Sequence, residues 1–246
     1  MSLTRVSQRD YAHKPLNPEG IQLLRVPLDD STVDINLRIE DHSRAQAPSY
    51  CAVSYTWGAG SKSAPRQVFI DARPHTVTPN TFWCLHYICK YYRQWEYLWI
   101  DCICINQKDD VEKSHRVRRM GEVYRDASLV LVWIGSEKEF EKHKWVKRSL
   151  QTSLSPYWSR VWIIQELYFA KALLFLHGEE SFTSNQMQSQ LHDVMTSLSK
   201  HTAQFKALIL IISAKIDKHT VTLQIEHELR DVISHFLRSQ CGDRRD

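Results

Sequence analysis

Short apolar runs punctuate this chain, and most of them end on a polar residue or a glycine. Leu98, Trp99 and Ile100 form one such run, made of residues that suit a pleated surface. Asp101 places a carboxylate where the run stops, and the amides Asn106 and Gln107 close the stretch 97–107. A helical pattern follows, and then a second apolar strand over 129–134. Strand, polar tip, helix, strand is the repeating unit of a parallel sheet, in which ligands collect at the carboxyl ends of the strands. Residues 101–107 are therefore expected to border any site.

The other elements follow from the same reading. Residues 1–20 are polar and carry Pro15, Pro18 and Gly20, as expected of a leader. Residues 21–28 predict a first strand and 33–39 its partner. Residues 50–57 predict another strand that stops at Gly58, and 67–72 a short one. The sequence Val77-Thr78-Pro79-Asn80 starts a helix over 81 to about 93, with Thr78 or Asn80 as its cap. Asp109 or Asp110 can cap a helix continuing to 126, which gathers Val117, Met120, Val123 and Tyr124 on one face. A charged helix over 137–153, an aromatic-rich helix over 158–170 and a strand over 172–176 come next. From 186 onward the pattern is helical, with an apolar block at 208–212 and a last helix near 225–237. This alternation predicts an α/β core with a helical carboxyl extension.

Composition narrows the classes. The chain has 246 residues, 43% of them hydrophobic and 24% charged, which places it among globular proteins. Its net charge of +4 is small and interleaved, giving little reason to expect nucleic-acid binding. Seven glycines are few for a phosphate-cradling loop. The six cysteines form no C-x-x-C pair, and Cys51, Cys102 and Cys104 fall in expected strands, so they read as buried reduced thiols. The amino terminus lacks an apolar signal region, and the longest apolar run, 207–214, is far too short to span a bilayer. A soluble cytoplasmic protein with no membrane partner is expected. The nucleophile elbow, the metalloprotease helix and the P-loop are all absent as sequence patterns.

Four segments in register carry a resemblance. They are Tyr50-Cys-Ala-Val-Ser-Tyr-Thr-Trp-Gly58, Leu98-Trp-Ile-Asp-Cys-Ile-Cys-Ile-Asn-Gln107, Met120-Gly-Glu-Val-Tyr-Arg-Asp-Ala127 with Val132-Trp-Ile-Gly135, and Arg160-Val-Trp-Ile-Ile-Gln-Glu166. Together they resemble the fungal heterokaryon-incompatibility (HET) domain. The resemblance covers residues 21–187, leaving 1–20 as leader and 188–246 as a helical extension that looks cut short. It implies an intracellular module of fungal non-self recognition that triggers programmed cell death. It also implies a distant relation to Toll/interleukin receptor (TIR) domains, whose fold is a flavodoxin-like, mainly parallel sheet flanked by helices.

Some TIR domains cleave NAD+ at the nicotinamide bond with a glutamate four residues after a tryptophan. Here Trp162-Ile-Ile-Gln-Glu166 reproduces that spacing, so Glu166 is the candidate catalytic residue and Trp162 a candidate pocket wall. On this reading NAD+ is a substrate, and no cofactor or metal is called for. The alternative is that Glu166 pairs with Arg160 and that Trp162 is core. Asp101, Asn106 and Gln107 are candidates for binding ribose or phosphate, against a reading in which Asp101 caps a helix or pairs with Arg118 or Arg119. Ser54, Tyr55 and Trp57 end another strand and are expected on the same rim. The expected partners are further copies of the chain or another cell-death signalling protein. A non-enzymatic adaptor that acts by such assembly is the rival to the enzyme.

Overall fold

The structure is a computed structural model and describes residues 10–13, 17, 19–26, 34–57, 64–135, 155–160, 162–189 and 211–212. Nine strands form one sheet: β1 (Gly20–Arg25), β2 (Asn36–Ser43), β3 (Cys51–Ser54), β4 (Arg66–Ile70), β5 (Arg73–Val77), β6 (Tyr97–Trp99), β7 (Leu129–Gly135), β8 (Leu173–His177) and β9 (Glu180–Thr183). Their spatial order is β5-β4-β2-β1-β6-β3-β7-β8-β9. The heart of the sheet, β6-β3-β7-β8, is parallel. On either side, β1 runs antiparallel to β2 and β6, β4 to β5, and β8 to β9. The α/β class stands, but the sheet is mixed rather than mainly parallel. The hairpins at its two margins account for the difference.

Among the described residues, the strands are connected or covered by α1 (Pro79–Tyr91), α2 (Asp101–Cys104), α3 (Asp110–Arg118), α4 (Met120–Asp126) and α5 (Trp162–Phe169). Of the two cap candidates for α1, Thr78 takes the role, its hydroxyl accepting the Thr81 amide hydrogen at 3.2 Å. Asp109 caps α3 through the amides of Val111 and Glu112, both at 3.0 Å.

Several expectations need correction. The stretch 109–126 is two helices, broken at Arg119, because α3 buries none of its residues while α4 buries Met120, Gly121, Val123 and Tyr124. Cys102 and Cys104 are not in a strand; β6 ends at Trp99 and they lie in the helical turn α2. The aromatic-rich helix is interrupted as well. A 3-10 turn over Pro156–Ser159 gives way to an extended Arg160 before α5 begins. Strands β5 and β9 escaped the sequence reading. The first is reached through a turn in which Asp71 and Ala72 both adopt positive φ (49° and 61°), a conformation the local sequence does not advertise. Gly58, the expected helices over 137–153 and 225–237, most of the leader and nearly all of the extension lie outside the described residues.

Strand periodicity decides which layer each side chain meets. Ala52 stands beside Trp99 and Val130, and Ser54 beside Val132, so these residues share one face of the sheet. That face carries α4 and α5: Tyr124 packs edge-on against Trp99, with ring centroids 5.6 Å apart. Trp133 has the opposite parity and meets α1, where its indole N–H donates to Asn80 Oδ1 at 2.7 Å. β7 is buried from Val130 to its end, as expected of a strand covered on both faces.

Candidate functional site

The carboxyl ends of β3 and β6 and the chain just beyond β7 come together in one polar cluster. Ser54, the last residue of β3, faces the α4–α5 layer and is fully buried. Its hydroxyl donates to Glu166 Oε2 on α5 and lies 2.6 Å from the Tyr157 hydroxyl. Tyr157 is held in place by Ser155, whose hydroxyl donates to the Ile134 carbonyl at 2.6 Å and accepts the Tyr157 amide at 3.2 Å. The interruption before α5 thus places the Tyr157 ring under Ser54 and leaves Arg160 free of helical geometry.

Arg160 joins the parts. Its guanidinium donates to the Tyr55 carbonyl and stands 3.9 Å from Glu166 Oε1. Burial works against the Arg160 charge, but the fields of Glu166 and Asp101 outweigh it, so the guanidinium stays more firmly protonated than usual. Burial likewise pushes the Glu166 carboxyl above the ordinary glutamate range, while Arg160 and the Ser54 hydrogen bond pull it back. Asp101 behaves in the same way: burial raises it, and Arg160 and the Trp57 indole resist. Trp57 Nε1 donates to Asp101 Oδ2 at 2.9 Å, and the Cys102 amide donates to Asp101 Oδ1 at 2.7 Å.

The structure brings Ser54, Tyr55, Trp57, Asp101 and Glu166 into one network, with Tyr157 and Arg160 as its additional members. Asp101 pairs with neither Arg118 nor Arg119; Arg119 is taken by Glu19 and Glu122. Gln107 serves the loop, donating to the Asp101 carbonyl at 3.0 Å, and Asn106 accepts the Lys108 amide at 3.1 Å. Trp162 is half-buried at the start of α5, whereas Glu166 is only 3% exposed at its side chain. The carboxylate is thus enclosed, with Ser54, Tyr157 and Arg160 around it. Tyr157 carried no local signal of its role, because its partner lies 103 residues earlier in the chain.

Burial pushes the thiols of Cys51, Cys89 and Cys104 up to about 12 and that of Cys102 still further, so these four remain protonated. Among the described residues no group of three or more His, Cys, Asp and Glu side chains could hold a metal ion. No described helix is long and apolar enough to cross a membrane.

The buried Glu166 and the half-buried Asp101 thus lie in the field of one guanidinium at the parallel centre of a mixed α/β sheet. Residues 50–154 match the family described as heterokaryon incompatibility protein (HET). A 98-residue stretch is 40% identical to heterokaryon incompatibility protein 6, OR allele, of Neurospora crassa. That stretch covers 36% of this chain but only 14% of the relative's length. The chain is thus similar to the HET family over residues 50–154. The matched span contains Ser54, Trp57 and Asp101, while Arg160 and Glu166 lie beyond it. No solved structure is significantly similar to the chain.

Proposed function

We propose that this chain is a cytoplasmic module of fungal non-self recognition whose activation leads to programmed cell death, acting by assembly with its own copies or with another signalling protein. The family match over residues 50–154, with 40% identity to a heterokaryon incompatibility protein, carries the reading. The cluster around Arg160 then serves as an internal bolt. It ties the tips of β3 and β6 to the entry of α5, so that the surface around them is presented as one rigid unit. The test is expression of the chain in a compatible fungal host. Growth arrest and vital-dye uptake are expected, and normal growth at verified expression would overturn the reading.

A second reading is favoured by one observation, the convergence of Glu166, Ser54 and Arg160 at the carboxyl ends of parallel strands, where α/β enzymes place their sites. It is NAD+ glycohydrolysis: water replaces nicotinamide at the ribose carbon, giving ADP-ribose, nicotinamide and a proton. Glu166 would face the positive charge that develops on the ribose as the bond to nicotinamide breaks. With Glu166 enclosed, this reading requires an activated state in which α5 or Arg160 withdraws. Incubating concentrated protein with NAD+ separates the two: nicotinamide release abolished by Glu166→Gln would establish the enzyme. Absence of release from protein that still causes cell death would leave the assembly module.

A further inference from the structure

Away from the Arg160 cluster, on the α4 side of Trp99, lies a small cleft whose lining is unlike the rest of the surface. Its floor is apolar, made by Ile21, Trp99, Cys104 and Val123, all nine-tenths or more buried. Its rim carries three guanidinium groups from two places in the chain: Arg44 after β2, and Arg116 on α3 with Arg119 just beyond it. We propose that this cleft binds a phosphate group, either free or as the terminal phosphate of a small monoester.

The arrangement of the arginines supports this. Arg116 is fixed by the chain itself, donating to the Gly20 carbonyl at 2.6 Å and the Asn17 carbonyl at 2.8 Å, so its position costs little to organise on binding. Arg44 is braced by Glu122 and Asp126, and Arg119 by Glu122 at 2.9 Å. Guanidinium groups fit tetrahedral oxyanions through paired N–H donors.

The chain also supplies a stand-in. The Glu19 carboxylate reaches Arg119 at 2.9 Å while its side chain is 75% exposed. It occupies one guanidinium from the solvent side and gains little by doing so, which makes it displaceable.

Calorimetric titration of the full chain with inorganic phosphate at constant ionic strength tests the site, with acetate as the monoanion control and glycerol 3-phosphate as the monoester. Saturable phosphate binding at concentrations on the order of 1 mM or below is expected, with acetate weaker by about tenfold. Equal affinity for the ester would identify a monoester site, and loss of affinity with the ester a site for the free ion; either supports the cleft. Arg116→Gln should weaken phosphate binding by about tenfold or more. Because Arg116 also anchors the chain before β1, Glu19→Gln is the second variant. It leaves the fold untouched and should tighten binding about threefold by removing the competitor. No saturable phosphate binding, or unchanged affinity in Glu19→Gln, would overturn the proposal.

Discussion

Ser54 and Glu166 are 112 residues apart in the chain and share a hydrogen bond in the buried layer between sheet and helix. The serine hydroxyl also meets Tyr157, so one side chain serves two partners and fixes where α5 begins. Ser54→Ala should therefore lower stability by about 1–3 kcal/mol, the cost of stranding a buried polar partner. Urea denaturation reads this directly, and a loss under 0.5 kcal/mol (about the effect of a neutral surface change) would show that the cluster holds nothing together.

The two sides of the Arg160–Glu166 pair should respond unequally. The Glu166 carboxyl is already held above its ordinary range by burial, so Glu166→Gln removes a charge that the site only just accommodates. Arg160→Met instead leaves two buried carboxylates without their cation, at a cost of about 3–5 kcal/mol. Equal losses for the two variants would contradict the account.

Acidity should expose the same asymmetry. Glu166 and Asp101 both bind protons more readily in the folded chain than in the unfolded one. Their contribution to stability is therefore fully present below the ordinary carboxyl pKa and is lost as pH rises through the raised folded values. In Arg160→Met the carboxyls rise further, so the penalty of that variant should shrink between pH 7.5 and pH 5. Denaturation of wild type and variant at both values checks the sign.

At the other end of the sheet, Tyr11 docks onto β5 by donating its amide hydrogen to the Pro74 carbonyl at 3.0 Å, with its ring edge-on to His13 and His75. Burial lowers the pKa of both imidazoles; Lys108 adds to that effect, while Glu112 opposes it at His13 and Asp10 at His75. For a depressed histidine the docked form is favoured above the unfolded pKa, near 6.5, and is weakened as pH falls toward the folded value. Imidazole proton resonances should titrate below 6.5, and the Tyr11 ring signals should move with them. Titration at or above 6.5 would show that the segment is indifferent to charge.

Gly121 sets how closely α4 approaches α5. A Cβ there would stand 2.7 Å from Phe169 Cε2 and 2.8 Å from Gln165 Nε2, both on α5. Gln165 can turn aside, but the Phe169 ring is also covered by the Arg125 guanidinium 4.4 Å away. Gly121→Ala should cost about 1–3 kcal/mol by overpacking. A thermal melt equal to wild type would mean that the two helices slide apart freely.

Much of the architecture was present in the local pattern. The run Leu98-Trp99-Ile100 ended in a carboxylate at the tip of β6, Thr78-Pro79 started α1, and the continuous apolar stretch of β7 announced a strand covered on both faces. The same local signals placed Ser54, Trp57 and Asp101 at strand ends, because a strand's period and its stop are properties of neighbouring residues. The four motifs pointed to the HET family for the same reason, since each is a contiguous word.

Tertiary structure alone decided the rest. The pairing of β1 with β2 was expected, but nothing local told that β1 would run antiparallel to β6 or that β2 would run parallel to β4, because pairing joins distant segments through backbone bonds that any sequence can make. The enclosure of Glu166 was decided in the same way. Its burial depends on Ser54 and the Tyr157–Arg160 stretch arriving from opposite ends of the domain, and Arg44 meets Arg116 and Arg119 at the Trp99 cleft by the same kind of convergence. Local chemistry supplies the groups, but their charge states and partners exist only once the chain has closed around them.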